Sequence, residues 1–144
     1  MLPLENSIID EACAALNGME RSMLVQEAVL VEACRLGIGW SSKAAPAFEG
    51  QWPYLPVRGE ATGERTSITM SLALAELLAR CAEHVGTSEP LFIVGATLAY
   101  IGRLQALFRG TRAETREDAQ GIRADLQRIK LPAQYRYRGG RTAA

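Results

Sequence analysis

Residues 65–100 read RTSITMSLALAELLARCAEHVGTSEPLFIVGATLAY, and their local signals leave few foldings open. Up to Met70 polar and apolar side chains alternate, with Arg65, Ser67 and Thr69 polar and Ile68 and Met70 apolar. A period of two in β-branched company predicts a short, half-buried strand. Ser71 then supplies an N-cap oxygen for a helix. In that helix Leu74, Leu77, Leu78, Cys81 and Val85 form one apolar stripe. Gly86 provides the left-handed residue on which helices commonly stop. Thr87 and Ser88 offer side-chain oxygens to a second helix, and Pro90 sits in its first turn, where a missing N–H costs little. Ile93, Ala96, Thr97, Tyr100, Ile101 and Leu104 form the buried face of that helix.

A short strand with no neighbour in sequence must find a partner. The succession of the strand R-T-S-I-T-M-S, a helix with Leu78 and Ala82, the turn G-T-S, and then Ile93, Ala96 and Tyr100 resembles the ribbon-helix-helix family of DNA-binding proteins. The resemblance implies a mainly α fold with one short β-strand per DNA-reading unit. In that family strands from two copies pair antiparallel and enter the major groove. By resemblance Arg65, Ser67 and Thr69 would face base edges, where Arg grips guanine bidentately and hydroxyls donate or accept. Thr87 and Ser88, at a helix N-terminus, would meet a phosphate. Glu89 beside them opposes an anion, and Pro90 removes one amide. The resemblance further implies a homodimer on double-stranded DNA, either a transcriptional regulator or an accessory protein of plasmid conjugation at a transfer origin. A second class stays open: a protein-interaction module, such as an antitoxin that holds a toxin partner.

Residues 5–37 read as two more helices. Ile8, Ile9, Ala12, Cys13 and Leu16 make one stripe, Asn17-Gly18 breaks it, and Leu24, Val25, Ala28, Val31 and Leu36 make another. Shifted by 68 residues, this segment falls on the second hairpin with eight identities and no gap. The pairs are Leu4/Leu72, Cys13/Cys81, Ala14/Ala82, Gly18/Gly86, Ala28/Ala96, Leu30/Leu98, Arg35/Arg103 and Leu36/Leu104. Two α-hairpin repeats in one chain are expected. The strand's counterpart in the first copy would fall largely before Met1; a start codon placed too far downstream would look the same. The first copy also has Glu20 where the second has Ser88. Residues 1–37 are therefore read as a degenerate repeat that stabilises the fold without touching DNA.

Residues 38–64 read as a linker rich in Gly, Pro, Ser and Ala, with Trp40, Phe48, Trp52 and Tyr54 interspersed. Those aromatics are expected to pin the segment across the helices and add core. Residues 65–108 form the ribbon-helix-helix unit. Residues 109–144 hold a third, charged helix over 113–129 with Ile122, Leu126 and Ile129 apolar, stopped by Pro132. The tail after it places Arg136, Arg138 and Arg141 beside Tyr135 and Tyr137. It either follows a phosphate backbone, which makes Arg136 and Arg138 candidate DNA contacts, or is a solvated end. Gly95, Ala99 and Gly102 form a strip of small residues that admits a close helix, from a dimer partner or from the first repeat.

The formal net charge of the 144 residues is zero, which gives a nucleic-acid binder little support. Its distribution is uneven: residues 1–57 carry three basic and seven acidic side chains, the remainder thirteen and nine. The second part is thus the expected anion-facing side. Cys13, Cys34 and Cys81 lack a C-x-x-C spacing and read as thiols of a reducing compartment. The single histidine, His84, ends a helix, and the carboxylates are scattered over helix surfaces. No catalytic residues, metal site or cofactor are expected, and the chain is read as a binding protein and not an enzyme. The opening MLPLEN has neither a basic start nor a long apolar core. The uncharged apolar run 91–102 is short for a bilayer. A cytoplasmic protein of bacterial style, away from membranes, is expected.

Overall fold

The computed structural model describes residues 3–39, 52–54, 68–110 and 124–137. Four helices make the body: α1 (Pro3–Ala15), α2 (Arg21–Leu36), α3 (Leu72–Val85) and α4 (Glu89–Gly110). Residues 124–128 add a short helical piece, and Ala133–Tyr135 form one 3₁₀ turn.

The helix ends follow local chemistry. Ser71 caps α3, its Oγ accepting from the Leu74 N–H at 3.2 Å. Gly86 closes that helix at φ 77°, and its N–H and that of Thr87 return to the Ala82 carbonyl. Ser88 Oγ accepts from the Leu91 N–H at 3.3 Å and opens α4. In the first hairpin the left-handed positions are Asn17 (φ 61°) and Gly18 (φ 74°). Under the 68-residue shift Arg21 falls on Glu89, so α2 and α4 start at equivalent positions. Gly18 and Gly86 share their left-handed φ, and Ala28 and Ala96 are both buried.

The expected β-strand is absent among the described residues, which overturns the ribbon-helix-helix fold with one short strand per unit; the chain is mainly helical. Ile68, Thr69 and Met70 carry no regular secondary structure. The alternation does sort the side chains, since Ile68 and Met70 pack on the core and Thr69 is exposed. The backbone of Thr69 finds its partners on α2 instead of on a strand. Its N–H donates to Ser22 Oγ at 3.2 Å, and its carbonyl accepts from Gln26 Nε2 at 2.7 Å. Two side chains thereby meet the need that would otherwise call for a neighbouring strand.

α4 is the central element and touches α1, α2, α3 and the 3₁₀ turn. Its apolar residues therefore face several directions: Phe92 and Ala96 join Val25, Val29, Leu74, Leu77, Leu78 and Trp52 in one core. Val94, Leu98, Ala99 and Ile101 join Ile8, Ile9, Leu24, Leu126 and Tyr135 in a second. Among the described residues α4 is long and apolar enough to cross a membrane by composition alone, over Glu89–Phe108. That apolarity extends beyond the 91–102 run, and here much of it is covered by the chain's own helices.

The small-residue strip on α4 receives two segments of the same chain, neither of them an α-helix. A Cβ on Gly95 would lie 2.5 Å from a Trp52 ring carbon, and one on Gly102 would run into the Tyr135 backbone. Trp52 stacks on Phe92 with centroids 4.8 Å apart and planes 9° apart, and meets the Tyr54 ring edge-on at 5.9 Å. Trp52 and Tyr54 thus pin their part of the linker to α4; Trp40 and Phe48 lie outside the described residues. Of the charged third helix, residues 124–128 are seen as helix, with Leu126 and Ile129 buried. Gln105 on α4 holds that segment, its Nε2 donating to the Leu126 and Ile129 carbonyls at 2.7 and 2.9 Å.

Candidate functional site

Three arginines from separate parts of the chain converge on one open cleft of about 500 Å³. Arg35 comes from the last turn of α2, Arg103 from α4, and Arg136 from the residue after the 3₁₀ turn. Pro53, Tyr54, Ala99, Tyr135 and Tyr137 complete most of the wall. The docking at Gly95 and Gly102 creates this wall, because it brings residues 53–54 and 135–137 against α4.

Each guanidinium is oriented by a neighbour. Arg35 Nε donates to Glu32 Oε1 at 2.6 Å, one helical turn back, and its Cζ lies 5.5 Å from the Tyr54 ring centroid. Glu32 is buried, so this arginine neutralises a carboxylate that could not stand alone. Burial works against the Arg35 charge, but the hydrogen bond and charge of Glu32 outweigh it and hold its pKa above the ordinary value. Arg103 lies over Tyr137, 5.7 Å from the ring centroid. Arg136 Nε donates to the Leu131 carbonyl at 3.2 Å, which holds the side chain in place. Tyr54 and Tyr135 stack at 6.3 Å.

The buried Tyr135 hydroxyl stays protonated at neutral pH. Tyr135 is pushed well up by burial, with the Glu5 carboxylate adding to the effect. The cleft therefore offers guanidinium N–H groups and tyrosine side chains. The carboxylate beside Arg35, that of Glu32, is engaged by it. Such a surface suits an anion with flat, apolar parts. Among the described residues no three His, Cys, Asp or Glu side chains gather where a metal ion could sit. Cys81 is buried, and burial raises its thiol pKa to about 11, which makes it unreactive.

The residues expected at the site are dispersed. Arg136 lies in the cleft. Arg65, Ser67 and Arg138 lie outside the described residues. Thr69 is tied by its backbone to α2, while Thr87 and Ser88 serve the α3–α4 turn; none of the three lines the cleft. Arg35, Arg103, Tyr54 and Tyr137 were not expected there. One signal did point to them: Arg35 and Arg103 are equivalent under the 68-residue shift, and both are polar in otherwise apolar helix segments. The first hairpin, read as a bystander, contributes a guanidinium to the site.

Neither protein-family models, nor curated proteins, nor solved structures match this chain.

Proposed function

We propose that this chain is a nucleic-acid-binding protein that holds phosphates in the Arg35–Arg103–Arg136 cleft and performs no chemistry on them. The observation that carries the reading is the convergence itself. A chain of zero net charge places three guanidiniums, from three sequence-distant segments, on one tyrosine-lined recess. Arginine is the side chain best suited to phosphate, because its planar fork presents parallel N–H groups. A groove read by a β-ribbon is no part of this proposal. The contacts invoked are backbone contacts, which position a nucleic acid and do not by themselves select a sequence.

The test is a binding titration of labelled DNA, single-stranded and duplex, between about 50 and 200 mM salt. Affinity should fall with salt. Replacing Arg35, Arg103 and Arg136 together by Ala should flatten the salt dependence by up to about one unit of slope per lost phosphate contact. Unchanged binding in the triple variant would place the contact elsewhere. Absence of binding to any DNA, together with binding to polyglutamate, would move the protein to the class of protein-interaction modules.

A further inference from the structure

Resting on the nucleic-acid reading, we infer that the cleft takes a single-stranded segment, one nucleotide of which enters the recess with its base against Tyr137 and its phosphates on Arg103 and Arg136. A duplex presents phosphates on a convex surface with its bases stacked inside. A protein that follows it offers a projecting element to a groove, or a flat basic face. The site here is concave. Its volume of about 500 Å³ falls among recesses that enclose a small molecule. A splayed-out nucleotide has that scale and a duplex backbone does not.

The walls point the same way. Single-stranded binders combine a basic track with aromatic rings on which bases stack. Tyr137 is 44% exposed and stands at the cleft rim with the Arg103 guanidinium over its ring. A guanidinium that lies over a ring by its face keeps its edge N–H groups for a phosphate. Tyr54 is flanked by Trp52, Tyr135 and the Arg35 guanidinium, and acts as wall. Glu32 balances Arg35, whereas among the described residues no ion pair to Arg103 or Arg136 is seen. The recess is also preformed. Tyr135 is buried against Gly102, and Trp52 is stacked on Phe92 below the opposite wall.

The experiment is fluorescence anisotropy of the full chain with a labelled thymidine oligonucleotide of about ten nucleotides, within the range of known single-strand sites. A blunt duplex of the same length is measured in parallel. Tyr137→Ala, Tyr137→Phe and Arg103→Ala are compared with the parent, each checked for an unchanged melting curve. Tyr137 is well exposed, so its truncation leaves the core intact. The expected result is tighter binding of the single strand than of the duplex. Tyr137→Ala should lose roughly fivefold or more, the lower end of a base–aromatic stack. Tyr137→Phe, which keeps the ring, should bind within about twofold of the parent, since every base offers a face to stack. Arg103→Ala should weaken binding and reduce its salt dependence. Duplex binding as tight as single-strand binding, with Tyr137→Ala unchanged, would overturn this inference and leave the nucleic-acid reading standing. No binding of either form would overturn both.

Discussion

The two hairpins share a plan and differ in how they are held. In the second, the ends are set by backbone-directed side chains: Ser71 on Leu74, Ser88 on Leu91, and Gly86 in the left-handed region. Its interior holds Leu74, Leu77, Leu78 and Phe92, and its buried polar side chains, Thr97 and Gln105, are uncharged. The first hairpin has Glu20 at the N-cap of α2, where no side-chain cap bond forms. It is tied instead by Arg21, which reaches back to Asn6 and Asp10 on α1. It also buries Glu5, Asn6 and Glu32. The longer α4 carries Gly95, Gly102 and Gln105, which dock the rest of the chain, whereas α2 ends at Leu36 and Gly37. The two hairpins thus play different parts, one a scaffold and one a more polar partner that lends Arg35 to the common cleft.

The largest expected effect tests the scaffold role of α4. Trp52→Ala removes a fully packed ring from the core around Phe92 and should cost about 3–5 kcal/mol in urea unfolding. A loss under 1 kcal/mol would mean that the 52–54 segment merely lies on α4. Next comes the strip itself. Gly102→Ala sets a methyl against the Tyr135 backbone, so the 131–137 segment must shift, at a cost of about 1–3 kcal/mol. Gly39→Ala meets no atom within 4 Å and should stay within about 0.5 kcal/mol of the parent. Similar losses for the two glycines would show that α4 has no special docking face.

The caps give a smaller and sharper contrast. Ser88→Ala and Ser71→Ala should each cost about 1 kcal/mol. Glu20→Ala should cost almost nothing, and Glu20→Ser should add stability by supplying the oxygen that α2 lacks. A Glu20→Ala penalty as large as that of Ser88→Ala would erase the difference between the hairpins. The smallest effect concerns the tie between α2 and α4. Tyr100 Oη donates to Glu27 Oε2 at 3.0 Å. Burial first, and then that bond and charge, raise the Tyr100 pKa from 10.0 to about 12. A raised folded-state pKa means that the stabilisation is complete below the unfolded value and fades as pH rises from about 10 to 12. Ultraviolet titration should find Tyr100 and Tyr135 ionising late, and only Tyr100 should titrate earlier in Glu27→Gln. No change in that variant would remove the inter-hairpin bond from the account.

Much of the second hairpin was legible because its signals are local. A serine three residues before a free N–H, a glycine past an apolar stripe and a proline in a first turn each act within one helical turn. The alternation at Ile68, Thr69 and Met70 was also read correctly as a division between core and surface. The pairing was misread because Thr69 is satisfied by Ser22 and Gln26, some forty residues upstream. Alternation reports which face is buried and is silent on what meets the backbone. The cleft was the least legible part. Arg35 and Arg103 could be matched by the repeat, but their meeting with Arg136 depends on Gly95 and Gly102 accepting segments from elsewhere in the chain. The same small strip had suggested a packed helix, because small residues admit any close backbone.

The central claim is that both hairpins serve one binding site, and the most direct measurement compares the two repeat-equivalent arginines. Arg35→Ala and Arg103→Ala, singly and together, are titrated against the same labelled DNA at fixed salt, with unfolding curves recorded for each. Arg103→Ala should weaken binding with little change in stability, since its charge rests on an exposed ring. Arg35→Ala should weaken binding less and lower stability more, because it strands the buried Glu32. Binding indistinguishable from the parent in both single variants and in the pair would contradict a shared site.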